Sequence, residues 1–213
     1  MEKNIKLGLL IFAITVGALI SISLIATITP SESEEPEINY SLLGLLYQSG
    51  PLFSGDGNEL DFSLLEPGDI IVTKGYPFTF LLSSWTHALL YAGNGMVVEA
   101  TYSGVLFSDL EIVHDYDACA IIRVDTTREI KDAAISFAKA QFGKTYDPRL
   151  NPLQGYKSEY EDGYYSSELV WAAYKINNVD IDASPIWDAS FGLNVAPDEI
   201  VYDDNTFLVS YSD

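Results

Sequence analysis

Trp85-Thr86-His87-Ala88-Leu89-Leu90-Tyr91-Ala92-Gly93-Asn94-Gly95-Met96-Val97-Val98-Glu99-Ala100 is the stretch whose reading decides the fold. Two apolar runs, Thr86 to Ala92 and Met96 to Thr101, flank Gly93-Asn94-Gly95, a strong hairpin signal. His87, Leu89 and Tyr91 share one face of the first strand, and Val97, Glu99 and Thr101 share one face of the second. A plain two-residue turn would set His87 and Glu99 on opposite faces. A three-residue loop pairs Leu89 with Glu99 and leaves His87 diagonal to Glu99 on the same face, within reach of long side chains. The expectation is an odd loop or a bulge at this hairpin.

Working outward, Glu66-Pro67-Gly68-Asp69 reads as a turn leading into a β-branched strand, Ile70-Ile71-Val72-Thr73. Gly104-Val105-Leu106-Phe107 and Cys119 to Val124 add further strands. Thr126-Thr127-Arg128-Glu129 matches a capping box. Ile130, Ala133, Ala134, Phe137, Ala138 and Phe142 follow at helical spacing, with Gly143 placed to end the helix. Lys144 to Tyr165 is a long tyrosine-rich stretch without clear periodicity. Ser166 to Asn177 reads as a second helix and Thr206 to Tyr211 as a last strand. No internal repeat is present. The order predicts an α+β fold, an antiparallel sheet packed with helices.

The N-terminal part has another character. Leu7 to Ile28 is uncharged and mostly apolar, long enough for the roughly 20 residues a transmembrane helix needs. Lys3 and Lys6 precede it and the acidic Ser31-Glu32-Ser33-Glu34-Glu35 follows, so the positive-inside rule sends the rest of the chain out of the cytoplasm. A cleaved signal peptide is the rival, but no Ala-x-Ala site ends the run. The expected organisation is a transmembrane anchor over 1–28, an acidic linker over 29–40 and one domain over 41–213, with the domain extracytoplasmic at the cell membrane.

The chain carries 31 acidic against 11 basic residues, a net charge of -20. Phosphate binding needs a basic patch, so no nucleic-acid partner is expected. The single cysteine, Cys119, lies in an apolar strand and reads as a buried hydrophobe; no internal disulfide and no cysteine zinc site can form. Glu161-Asp162 and Asp180-Ile181-Asp182 lack the ordered spacing of a calcium loop and read as solvated charge, so neither metal nor cofactor is expected. His114 reads as a solvated loop residue.

Chemistry-bearing residues fall in two places. His87 and Glu99 offer an imidazole and a carboxylate on neighbouring strands. Ser166, in Tyr165-Ser166-Ser167-Glu168-Leu169-Val170, offers a hydroxyl at the mouth of a helix. A base, its orienter and a nucleophile are the parts acyl transfer needs. Taken alone, Ser166 or Ser167 is simply a good helix N-cap, and Glu168 a carboxylate suited to a helix N-terminus.

The chain resembles the circularly permuted, papain-like NlpC-type cysteine hydrolases, the YiiX-like amidases. The matching pieces are Pro67 to Ile71, the His87 strand, Val97 to Ala100, Gly104-Val105, Phe142-Gly143-Lys144 with Tyr146-Asp147, and Tyr165 with Ser167 to Val170. The resemblance implies a papain-like fold with His87 as general base, Glu99 holding its ring and residue 166 as nucleophile, with Tyr146 and Tyr165 binding substrate. That family has cysteine at the nucleophile's place; here it is Ser166. Neither the helix dipole nor an imidazolium ionises an alcohol as they do a thiol. Three readings stand for Ser166: a Cys-to-Ser trap, a serine variant, or a site that binds without turnover. The first reading is thus a hydrolase acting on amide bonds, with the peptide cross-links of a cell envelope as the substrate expected. The alternatives are a pseudoenzyme holding a peptide or acyl chain, or a lipid acyl hydrolase or transferase.

Overall fold

The computed structural model describes residues 57–75, 83–147, 157–187 and 190–213. The expected anchor over 1–28 and the linker over 29–40 lie outside the described residues. Among the described residues no helix is long and apolar enough to cross a membrane.

Six strands form one antiparallel sheet: β1 (Ile70–Lys74), β2 (His87–Gly93), β3 (Met96–Thr101), β4 (Gly104–Asp109), β5 (Ala118–Val124) and β8 (Thr206–Ser212). Their spatial order is β4-β3-β2-β1-β5-β8. Two short strands, β6 (Thr145–Tyr146) and β7 (Gly163–Tyr164), pair in parallel beside it. The helices are α1 (Arg128–Ala140), α2 (Ser166–Lys175) and α3 (Pro197–Tyr202). The α+β expectation holds. The expected capping box is displaced by one residue: Thr127, not Thr126, is the N-cap of α1 and accepts from the Ile130 N–H, so Glu129 does not stand at the box position. The helix ends at Ala140, two residues before the expected Phe142, and Gly143 turns the chain with φ +82°. The short α3, the β6–β7 pair and a 3-10 helix at Leu110–Asp115 were not legible in the periodicity.

The central hairpin combines both sequence options. Asn94 and Gly95 form a two-residue turn with φ of 56° and 71°, the left-handed pair that suits a right-twisted hairpin. The register slips between Tyr91 and Gly93, so one extra residue is absorbed as a bulge. Leu90 then lies opposite Val98 and Tyr91 opposite Val97, the register that brings His87 and Glu99 to one face.

Each face of the sheet has its own core. Ile70, Val72, Ala88, Leu90, Val98 and Ala100 meet α1 and α2. Ile71, Leu89, Val97, Cys119 and Ile121 lie on the other face, under Leu110 and Val113 of the 3-10 helix. Apolar residues cover α2 on most sides, and Ser166 through Tyr174 are all buried. The turn before β1 is held from two directions. Asp69 is fully buried and takes both Arg123 Nε (2.8 Å) and Nη2 (2.7 Å). Gly68, at φ +98°, leaves no room for a Cβ, which would sit 2.7 Å from that of Lys131.

Three residues depart from their sequence reading. His114 is not a solvated loop residue. It stacks on Phe62 with ring centroids 4.2 Å apart, and its Nδ1 lies 2.9 Å from the Asn58 carbonyl. The Asp180-Ile181-Asp182 pair is not free charge. Asp180 accepts from Trp171 Nε1 at 2.8 Å and pairs with Lys175, while the buried Asp182 pairs with Lys157. Asp180 thus fastens α2 while Asp182 holds the Lys157 segment, because a carboxylate taken from water needs a cation or donor.

Candidate active site

The first residue of β2 is His87, 1% exposed, and Glu99 on β3 is 3% exposed. The pleat and the bulge put them diagonally across one face, and Nε2 of the ring lies 2.6 Å from Glu99 Oε2. The other carboxylate oxygen, Oε1, accepts from the hydroxyl of Ser108 on β4. Burial pushes the Glu99 carboxyl up, but the His87 hydrogen bond and charge, with the Ser108 hydrogen bond, outweigh it and hold the group below the ordinary range. An ionised carboxylate only accepts. Glu99 therefore accepts from the Nε2–H of His87. Tyr116 lies alongside the imidazole, with centroids 6.3 Å apart and planes at 27°.

Ser166 is 2% exposed and opens α2. It is not the cap: Tyr165 occupies that position, and the Tyr165 N–H donates to Glu168 Oε2 at 3.4 Å. Glu168 Oε1 also accepts from the Ser158 N–H at 3.2 Å. Burial, with Glu161 and Asp147 nearby, pushes the Glu168 carboxyl up to about 8 in spite of these donors.

The direction of α2 follows from its far end. Tyr174 donates its hydroxyl to the Gly68 carbonyl, and the Gly68 N–H donates to Tyr91 O at 2.9 Å. The C-terminal end of α2 thus lies at the Tyr91 end of β2. The helix packs on the Ala88 and Leu90 face, while His87 shares the Leu89 face, so α2 and the His87 side chain belong to opposite faces of the sheet. Among the described residues Ser166 is not a hydrogen-bond partner of His87; the ring's described partner is Glu99.

The segment before α3 ties these two elements together. Ser167 donates its hydroxyl to Val195 O at 2.8 Å, and the Val195 N–H donates to the Tyr165 hydroxyl at 2.9 Å. Three residues on, Asp198 accepts from the N–H groups of Ser84 (3.1 Å) and Trp85 (2.9 Å), the lead into β2. Sequence reasoning missed Asp198 and Ser108. Ser108 was within reach of it: the turn at Tyr102-Ser103 sets Ser108 opposite Val97.

Of the two tyrosines expected to bind substrate, Tyr146 lines a cavity of about 460 Å³ together with Asp147, Tyr160, Glu161 and Asp162. Tyr165 does not line it; its ring is buried at 2% exposure and its hydroxyl is engaged by Val195. Among the described residues no group of three or more His, Cys, Asp or Glu is placed to hold a metal ion.

Residues 65–189 match the family model of permuted papain-like amidase enzymes, YaeF/YiiX, C92 family. A similar solved structure is the crystal structure of the metalloprotein yiiX from Escherichia coli O157:H7. It is 19% identical, covers 68% of this chain and 96% of that one, and has a TM-score of 0.48. Among curated proteins no match was found.

Proposed function

Since the chain belongs to the permuted papain-like amidase family, we propose that it is a hydrolase of amide bonds in which Ser166 takes the nucleophile's place. His87 serves as general base and Glu99 orients the ring. The observation that carries this reading is the buried His87–Glu99 hydrogen bond at the start of β2. A buried carboxylate held ionised beside an imidazole fixes the tautomer and stabilises the imidazolium that forms when the ring accepts a proton.

The steps follow from that arrangement. Nδ1 of His87 takes the proton from Ser166 Oγ around the end of β2 as the oxygen attacks the substrate carbonyl. The carbonyl oxygen gains negative charge near the N-terminus of α2, where the helix dipole favours an anion. The tetrahedral species collapses to an acyl-serine, and the imidazolium protonates the departing amine. Water, deprotonated by the same ring, then releases the acid. An alcohol cannot be pre-ionised as a thiol can, so turnover depends more steeply on the alignment of the base.

The substrate class proposed is a peptide, of the kind found in a cell envelope, with the domain held at the outer side of the membrane by Leu7 to Ile28. The same anchor would suit hydrolysis or transfer of a lipid acyl group. A second reading is a module that holds a peptide or acyl chain without turnover; the hydroxyl at position 166 favours it.

Labelling with a fluorophosphonate, followed by peptide mapping, separates the readings. Modification at Ser166 that His87→Ala abolishes supports the hydrolase. If Ser166→Cys alkylates no faster than a free thiol near neutral pH, whether or not His87 is present, the hydrolase reading fails. Saturable peptide binding in the unmodified protein would then favour the module.

A further inference from the structure

Glu99 stands between two diagonals. Across β2, His87 takes Oε2; across β4, Ser108 donates to Oε1. The register explains why both reach it. Val97 lies opposite Ser108 and Glu99 opposite Leu106, so Ser108 is two residues along β4 on the same face, as His87 is in the other direction on β2. Rotation about the last side-chain bond of a glutamate exchanges its two oxygens and swings them out of line. A donor fixed on one oxygen stops that rotation and so aims the other. Ser108 is half-buried, on the outermost strand of the sheet, and no packing need accounts for a hydroxyl pointed at a carboxylate there.

We propose that Ser108 is a positioning residue of this site. It holds the Glu99 carboxylate ionised and turned toward His87, and touches neither nucleophile nor substrate. This rests on the reading of His87 as base. Without the Ser108 hydroxyl, Oε1 becomes an acceptor short of one donor inside the fold, which favours the protonated acid. A neutral Glu99 gives the imidazolium no counter-charge, so the ring gives up its proton more readily and stabilises a neighbouring anion less.

Iodoacetamide alkylation of the full-length Ser166→Cys protein, followed across pH, tests this. Alone, the variant is expected to alkylate quickly below neutral pH, because an imidazolium nearby favours the thiolate. Adding Ser108→Ala is expected to slow it roughly tenfold near pH 6, the order of one hydrogen bond to a charged group. The two profiles converge in alkali, where solvent alone ionises the thiol. Ser108→Thr, which keeps the hydroxyl, restores the parent profile. Should the alanine variant not fold, Ser108→Val, which also lacks the hydroxyl, replaces it and is expected to slow alkylation to the same extent. A Ser108 variant whose profile superimposes on its parent overturns the proposal, and so does an equal loss at every pH, the mark of a merely structural role. His87→Ala in the same background separates the two claims. If it slows alkylation while Ser108→Ala does not, only the role of Ser108 fails; if neither has an effect, the hydrolase reading fails first.

Discussion

Glu99 Oε2 accepts a hydrogen bond from His87 Nε2 at 2.6 Å in a part of the sheet where both side chains are almost wholly buried. Glu99→Gln removes the charge and keeps the shape. The carboxyl is held below its ordinary value in the fold, so ionisation of Glu99 adds stability above the unfolded value and that addition is lost as pH falls through the folded one. The variant is therefore expected to be less stable at pH 7 by about 1–3 kcal/mol and to converge with the parent in strong acid. Urea titrations at both pH values check this. Labelling of Ser166 by a fluorophosphonate is expected to fall by about 10²-fold or more.

Glu168 has the opposite sign. Its carboxyl rises from 4.5 to about 8 on folding, so between those values the unfolded chain is ionised while the folded one keeps its proton. That proton is an extra one on the native side, and stability declines as pH rises across this window. Glu168→Gln abolishes the contribution. The melting temperature of the variant, measured from pH 5 to pH 8.5, is expected to fall less over the window than that of the parent. Parallel curves would show that Glu168 ionises normally in the fold.

Cys119 is expected to be chemically silent. Burial in the sheet pushes its thiol up to about 12, even with the Asn58 amide donating to the sulfur. Incubation of the native protein with iodoacetamide at pH 8 should leave the intact mass unchanged, while the urea-unfolded chain takes up one label. Rapid modification of the native protein would mean that β5 opens locally.

Gly104→Ala is expected to be severely destabilising. The residue sits at φ +97°, and a Cβ there would overlap the carbonyl oxygen of Lys144, a backbone atom that accepts from the Val105 N–H at 2.9 Å. Strain and the displaced hydrogen bond together cost roughly 3 kcal/mol or more. Gly95→Ala, by contrast, meets nothing within 4 Å, and its cost is limited to the left-handed backbone, about 1 kcal/mol. Chemical denaturation of the two variants measures the difference.

Much of the site could be read before any coordinates, for a local reason. The pleat period of two and the glycine-bounded loop between Tyr91 and Met96 were enough to place His87 and Glu99 on one face. The form was not fully legible: a turn at Asn94-Gly95 plus a bulge gives the same register as the three-residue loop. Ser108 lay one hairpin further and went unread because the register of β4 was not carried through Tyr102-Ser103. Asp198 had no sequence signal at all. Its partners Ser84 and Trp85 are more than a hundred residues away, and no short motif announces such a contact. His114 and Asp182 were misread because charge on a sequence says nothing about which neighbours the fold will bring.

The sequence by itself determined the antiparallel sheet, the two longer helices, and the pairing of an imidazole with a carboxylate. Each follows from short-range spacing that the backbone enforces over a few residues. Only the tertiary structure decided that Nε2 faces Glu99, that Ser108 occupies the other carboxylate oxygen, and that the C-terminal end of α2 sits at the Tyr91 end of β2. Those facts depend on how distant elements are oriented against one another. That orientation is set by the packing of whole faces and by single long-range hydrogen bonds such as Tyr174 to Gly68.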